Sequence, residues 1–499
     1  MNVRFKANVM IEGITKTLSE RKKDVFIFLF LIAMAFYCRL LYIAQGAFFF
    51  DTLELALQGS KTLDTLQLHY MHWPGYPFAV LIAALFIFLV RLLGNYDPVY
   101  AVNLMSVTFG SLSVGVFYLF TKKILNRYYS IIVSIIVSFF PLHFSLSTFG
   151  LNHTLAITLY LLSAYCMVWY GERHRLTMLV FSAVFLGCGT AARLSDAIFV
   201  VPLLFFLWAS RPPFSTRWFC MVRMVFFLAV ASAVTLLFYM PFFAQERLYL
   251  CTYWHFTHTF YHLFRMVRIG MPELLSIPGI VVAIIGGFYF FLRGTRVFFY
   301  FLFMWFLVLF IYYGSLNTSV YKNMLFSLIP LIIMQGYCFI KAPQRSRLFF
   351  VLFLCVGIAY NLHTILPMLA FRHSVNLQER FGKMVQNVTP AKSYIIASDM
   401  VIFIEYYGKR NTIYRPVITT KEEADAFCDT IDTLLEEKKP VYITQMGIEA
   451  YDFQKYFLSA LQERYRIRLV DQGPVIDWYQ FPSIRQRIII ERLFSLEKK

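Results

Sequence analysis

Charged side chains are scarce in this sequence. They make up 15% of its 499 residues, against roughly 25% in a soluble globular chain. With 59% hydrophobic residues and a mean hydropathy of +0.61, that shortage excludes a water-soluble core and points to a bundle of membrane-spanning helices, each needing about 20 apolar residues. Acidic residues are the scarcer sign: 28 against 46 Lys and Arg, for a net charge of +18. Such an excess fits either a nucleic-acid partner or the basic cytoplasmic loops of a membrane protein. The basic residues fall in short clusters between apolar runs, which favours the loops and argues against nucleic acid. The eight cysteines lack metal-ligand spacing. Cys38, Cys166, Cys188, Cys220, Cys338 and Cys355 sit in or beside apolar runs as small packing residues, and nothing in the sequence pairs Cys251 with Cys428. There is no internal repeat and no low-complexity tract.

Residues 1–23 are polar and basic and read as a cytoplasmic N-terminal segment. The apolar run from Val25 to Phe50, broken by Arg39, is too long for a signal-peptide core and reads as a retained first span. Further runs fall near 98–121, 128–149, 152–170, 176–192, 194–210, 219–243, 276–292, 297–313, 324–340 and 348–369. The connections at Lys122–Arg127, Arg173–Arg175, Arg211–Arg217, Arg293–Arg296 and Lys341–Arg347 are basic where cytoplasmic loops are due. Residues 77–93 would reverse that pattern if they crossed, so they are expected to form a re-entrant or interfacial helix in a first external loop, 51–97. About eleven spans follow, within a membrane domain of residues 24–370, and the C-terminus lies outside. After residue 371, where 17 of the 28 acidic residues lie, strand-length runs at Tyr394–Ala397, Val441–Thr444 and Ile467–Val470 and a polar helix at 420–438 capped by Thr420 indicate an external α/β domain, 371–499.

Before residue 371 the acidic residues at or near the external face are Asp51, Glu54, Asp64, Asp97, Asp196, Glu246 and Glu273. Charge near a bilayer is costly, up to about 3 kcal/mol at a helix centre, and tends to be functional. Asp51 and Glu54 are three apart and share a helix face. They suit a transferase that must take a proton from an acceptor hydroxyl, and they equally suit a helix-capping box. The stretch His69-Tyr-Met-His72-Trp73-Pro74-Gly75-Tyr76-Pro77 makes a rigid turn. Its histidines fit phosphate binding or proton transfer, or an interfacial anchor beside Trp73.

Asp51-Thr-Leu-Glu54, then His72-Trp-Pro-Gly-Tyr-Pro77, an apolar helix, and Asn103 opening the next span together resemble the start of the GT-C glycosyltransferases, nearest their protein O-mannosyltransferase-like branch. That resemblance implies a GT-C-like polytopic α-helical fold and an inverting transfer of a sugar from a polyprenyl-phosphate donor to an acceptor hydroxyl on a protein, lipid or glycan. It implies Asp51 as the base or its orienter, with Glu54 in support, in a bacterial plasma membrane or endoplasmic reticulum. The sequence departs from the pattern twice. Trp73 replaces a proline, and Asn152-His153 stands where many members carry a second acidic residue, so no cofactor is expected and a divalent metal is not favoured. The phosphate needs cations. Arg193 suits phosphate oxygens and also an i,i+3 pair with Asp196. Lys322 opens the tenth span, as a phosphate ligand or a snorkelling anchor. Arg265 and Arg268 sit in a loop with Tyr253, Trp254, His255, His258, Tyr261 and His262, whose aromatics suit sugar faces or the membrane interface. His69, His72, Tyr76, Asn152, His153, Arg193, Arg265, Arg268 and Lys322 are therefore the candidate substrate-binding set. Asn152, Asn317 and Asn387 open formal glycosylation sequons. A transporter or flippase of a lipid-linked or polar substrate is the competing function; it would favour internal repeats and midplane broken helices. A non-catalytic scaffold binding a partner through its external domain is a third.

Overall fold

A computed structural model of the chain describes residues 2–72, 74–211, 216–245, 259–315, 321–341, 343–450, 452, 454–477 and 487–499. Trp73, Glu246, Cys251, Tyr253, Trp254, His255, His258 and Asn317 lie outside the described residues, as does the side chain of His262.

The first helix, α1 (Asn2–Leu40), stops ten residues before its apolar run ends. Residues 41–49 instead form a loop held by polar contacts: Ala44 N–H donates to Thr148 O (2.8 Å) and Gln45 N–H to Arg372 O (3.1 Å). Apolar composition here serves burial between helices rather than a longer span. Arg39, inside the first run, is buried and donates to Ala35 O (3.0 Å), Ser138 O (3.0 Å) and His143 Nδ1 (2.9 Å). This is how a charge at membrane depth is tolerated.

The site-bearing loop follows as α2 (Phe50–Thr65) and α3 (Pro77–Leu92), packed on each other and on α4 (Pro98–Thr121). At 16 residues α3 is about 24 Å long at 1.5 Å per residue, short of the ~30 Å hydrocarbon core. The run 128–149 is two helices, α5 (Arg127–Ser138) and α6 (Pro141–Leu146), because Pro141 cannot donate into a continuing ladder and instead opens the second helix. Then come α7 (His153–Arg173), α8 (Leu176–Ala192), a 3-10 turn at Leu194–Phe199, α9 (Val200–Ala209), α10 (Arg217–Gln245), α11 (Thr259–Arg265), a π-helical turn at Met266–Gly270, α12 (Met271–Arg293), α13 (Arg296–Ser315), a 3-10 turn at Tyr321–Met324, α14 (Leu325–Lys341) and α15 (Gln344–Ser374). Among the described residues seven helices are long and apolar enough to cross a membrane, with four shorter apolar helices including α3. The chain is an integral, multi-pass membrane protein.

The bundle core centres on Trp305, which is fully buried. Its indole N–H donates to Phe326 O (3.0 Å), and its ring lies 4.6 Å from Phe199 and 4.9 Å from Phe326. This cluster pins the 3-10 turn that carries Asp196 against α13 and the start of α14.

The C-terminal part adds α16 (Leu377–Val388), β1 (Tyr394–Ala397), α17 (Val401–Gly408), β2 (Asn411–Tyr414), α18 (Lys421–Glu436), β3 (Val441–Thr444), α19 (Gln445–Glu449), α20 (Tyr456–Arg464), β4 (Tyr465–Asp477) and β5 (Arg487–Lys498). The sheet order is β2-β1-β3-β5-β4, with β1 parallel to β2 and β3, and β5 antiparallel to β3 and β4. Thr420 caps α18 in a full capping box with Glu423. The strand expected at Ile467–Val470 lies in the first half of a 13-residue strand. Its charged, half-exposed flanks hide its length, as expected for an antiparallel hairpin with one face in water.

Candidate active site

Helix α2 begins at Phe50, and its N-cap is Phe49, which makes no side-chain cap. Asp51 is thus inside the first turn, and the capping-box reading of Asp51 and Glu54 fails. Both carboxylates turn to other segments. Asp51 Oδ2 accepts from Lys322 Nζ at 2.7 Å, with both side chains about one-fifth exposed (21% and 19%). The Lys322 ammonium also lies 4.1 Å from the Phe49 ring centroid, a cation–π contact. Lys322 is therefore turned into the protein rather than snorkelling.

Glu54 closes the turn that follows α2. Its Oε1 accepts the backbone N–H of His72 (2.6 Å), and its Oε2 bonds the His72 Nδ1. The turn is closed further by Met71 N–H to Gly75 O (3.1 Å) and Gly75 N–H to His72 O (2.9 Å). Gly75 at φ 94 and Tyr76 at φ 48 reverse the chain into α3; glycine takes such a φ without steric penalty. The His72 ring packs edge-on against Tyr76 at 5.7 Å.

The third part is Arg193, at the end of α8. Its guanidinium is buried and each of its nitrogens makes one hydrogen bond: Nε to Asp196 Oδ1 (3.0 Å), Nη1 to His153 Nε2 (2.6 Å) and Nη2 to Asn323 Oδ1 (2.6 Å). The i,i+3 pair and the wider role coexist. Tyr313 also donates to Asp196, and Tyr160 donates to Arg193 O (3.2 Å). Asn152 Nδ2 donates to Ala192 O (3.0 Å), tying the start of α7 to the end of α8. Because Lys322 and Asn323 are adjacent, one polar line runs from Asp51 through Lys322 and Asn323 to Arg193, and on to His153 and Asp196.

The electrostatics follow from this line. Burial alone would raise the Asp51 carboxyl, but the charges of Lys322 and His72, the Lys322 hydrogen bond and the Arg193 charge outweigh it and hold the carboxyl below its ordinary value. Burial alone would lower His72, yet the Glu54 hydrogen bond and the Asp51 and Glu54 charges raise it above its ordinary value.

The expected residues therefore divide. Asp51, Glu54, His72, Tyr76, Asn152, His153, Arg193 and Lys322 come together. His69 does not: its ring Nε2 bonds Thr65 Oγ1 (3.0 Å) on the exposed end of α2. Arg265, at the end of α11, and Arg268, exposed in the π-helical turn, make no hydrogen bond or ion pair to this group among the described residues. Three participants carried no assigned site role in the sequence reading. Asn323 was adjacent to a candidate but carried no charge, and Tyr313 was hidden in an aromatic run. Asn103 joins two loops, donating to Ala44 O (2.9 Å) and Gly46 O (3.2 Å) while its Oδ1 accepts from Gly150 N–H (2.7 Å). Among the described residues no group of three or more His, Cys, Asp or Glu is placed to hold a metal ion.

Residues 74–237 match the family model of dolichyl-phosphate-mannose-protein mannosyltransferases. The fold is shared with the crystal structure of ArnT from Cupriavidus metallidurans bound to undecaprenyl phosphate, with a TM-score of 0.60 and 11% identity over 94% of this chain and 97% of that one. The apo form of the same protein gives 0.59 and 12% over 95% and 98%. Archaeal oligosaccharyltransferase AglB from Archaeoglobus fulgidus, in complex with an inhibitory peptide and a dolichol-phosphate, gives 0.58 and 10% over 94% and 76%. No curated protein matches the chain by sequence. The fold defines a polytopic membrane protein of the GT-C class. The family match over residues 74–237 lies inside that fold, which is the GT-C-like one that the Asp51–Pro77 pattern led us to expect.

Proposed function

We propose that this protein is a glycosyltransferase that moves a sugar from a polyprenyl-phosphate donor to an acceptor hydroxyl, by one inverting displacement, with Asp51 as the base. The carrying observation is the Asp51–Lys322–Asn323–Arg193 line, which joins an ionised carboxylate to two cations at the start of α2. The Asp51 carboxylate takes the acceptor's proton. The acceptor oxygen bonds to the anomeric carbon as the bond from that carbon to the phosphate oxygen breaks. The electron pair leaves with the phosphate, whose charge Lys322 and Arg193 stabilise. Glu54 acts through the turn, holding the His72 ring and backbone against α2. Support for a lipid-phosphate donor comes from the polyprenyl phosphates carried by the ArnT and AglB neighbours. The basic connections support a cytoplasmic N-terminus, about eleven spans and an external C-terminal domain from residue 371. Asp51→Asn tests the reading: the protein inserts and folds, binds polyprenyl phosphate and transfers no sugar. A variant with wild-type transfer would remove Asp51 from the mechanism.

A further inference from the structure

A cavity of about 750 Å³ lies where the C-terminal part meets the bundle, within the size range of small-molecule sites. Its walls come from the loop Ile43–Gly46, the start of α4 (Asp97, Tyr100), the end of α15, and α16 and α17. The loop wall leads straight into the proposed base. Gly46 precedes Asp51 by five residues, a reach of at most roughly 18 Å for extended chain.

That wall is held in place from the other side of the cavity. Tyr407 Oη accepts from Ala47 N–H (3.1 Å), Asn376 Nδ2 donates to Tyr407 Oη (3.3 Å), and His373 Nδ1 lies 2.8 Å from Ile43 O. Gly46 has φ +76, and a Cβ there would stand 2.1 Å from Asn376 Nδ2.

The lining chemistry selects among ligands. Its charges balance, with Asp97 and Glu379 against Arg380 and Lys383, and Glu379 already pairs with Lys383 at 2.6 Å. A balanced wall does not select a polyanion. Tyr100, Tyr406 and Tyr407 offer ring faces and hydroxyls, and Gln45 and Asn376 offer amides. The side chains of Gln45, Tyr100 and Arg380 make no hydrogen bond to the protein among the described residues. No strand edge lines the cavity to pair with an extended peptide, and no wall is wholly apolar, as a lipid chain would require.

We propose that this cavity binds the acceptor, and that the acceptor is a hydroxyl-rich glycan anchored here while one of its hydroxyls reaches Asp51. The proposal rests on the glycosyltransferase reading above.

The test uses the full chain in its native membranes with a photoreactive phenylalanine at Tyr100. Irradiation is followed by periodate oxidation and hydrazide capture, which labels vicinal diols. The expected adduct carries diols, persists in Asp51→Asn, and falls at least fivefold with Gln45→Ala and Arg380→Ala together. Adducts that are only phospholipid or diol-free protein, or no adduct in a protein that still transfers sugar, would overturn the proposal. A diol-bearing adduct unaffected by the Gln45 and Arg380 changes would also overturn it. Sugar transfer is measured in parallel. Loss of transfer at low acceptor that recovers at high acceptor in the Gln45→Ala, Arg380→Ala protein supports the site. Absence of any transfer by the wild-type protein counts against the enzymatic reading, whichever way the crosslink falls.

Discussion

Replacing Lys322 by Met removes the cation nearest Asp51 and keeps most of the side chain's volume. At 2.7 Å and an effective dielectric of about 20, the pair's Coulomb attraction is about 6 kcal/mol. Desolvation of two largely buried ions opposes it, and the one-fifth exposure of each side chain lets water soften it. A net coupling of about 2 kcal/mol remains, a factor of roughly 30. Three consequences are measurable in detergent or nanodiscs. With a coupling of similar size between the ammonium and a phosphate oxygen, polyprenyl-phosphate binding weakens about 30-fold in Lys322→Met and only a fewfold in Lys322→Arg. Asp51→Asn, which releases Lys322 from its carboxylate, binds the lipid phosphate at least as tightly as wild type. Burial is the largest influence on the Asp51 carboxyl and raises it, and Lys322 is the main opposing charge. The acid limb of the rate profile therefore moves to higher pH without the lysine. Thermal unfolding of the two single variants and the double variant completes a cycle. Additivity within about 0.5 kcal/mol, together with unchanged lipid-phosphate affinity, would refute the reasoning.

Arg193→Ala leaves Asp196 buried beside Tyr313 with no cation, and should cost about 3–5 kcal/mol, seen as a lower Tm and loss of lipid-phosphate binding; Arg193→Lys keeps the charge but not the three-way hydrogen bonding, and should recover only part of both. Glu54→Gln removes the group that raises His72. Because a raised histidine contributes stability fully below its unfolded value of about 6.5 and loses it as pH rises through the folded value, the Tm gap from wild type should be largest near pH 6 and shrink on the alkaline side. In the C-terminal sheet, Glu491 is buried, accepts from Met446 N–H (2.8 Å), and is pushed up by burial to about 7. Its ionisation opposes folding above the ordinary carboxylate range, so Glu491→Gln should stabilise that domain by about 2–3 kcal/mol at pH 8 and by little at pH 4, as read from pH-dependent unfolding.

The carboxylate pair and its turn were legible because the signal is local. A three-residue spacing fixes a helix face, and Pro–Gly–Tyr–Pro fixes a reversal, whatever surrounds them. The charge pattern sets α3 apart from the spans, but its 16 residues do not, since α8 and α9 in the expected spans have 17 and 10. Contacts across the bundle left no such mark. Asn323 and Tyr313 reach Arg193 and Asp196 from more than a hundred residues away, and Asn103 links two loops through backbone carbonyls and an N–H that any sequence provides. The loop 41–49 read as membrane span because its burial is protein burial, and hydropathy does not distinguish protein from lipid. His69 shared its residue type and neighbourhood with His72, and only Glu54's reach to His72 separates them.

The central claim is that Asp51 takes the acceptor's proton while Lys322 and Arg193 hold the departing phosphate. Its most direct measurement compares wild type with Asp51→Asn in two assays on the same purified protein: sugar transfer from a labelled polyprenyl-phosphate donor, and equilibrium binding of the polyprenyl phosphate product. The account predicts transfer reduced at least a thousandfold with lipid-phosphate affinity kept or increased. Transfer that survives, or a parallel loss of lipid-phosphate binding in a folded protein, would contradict it.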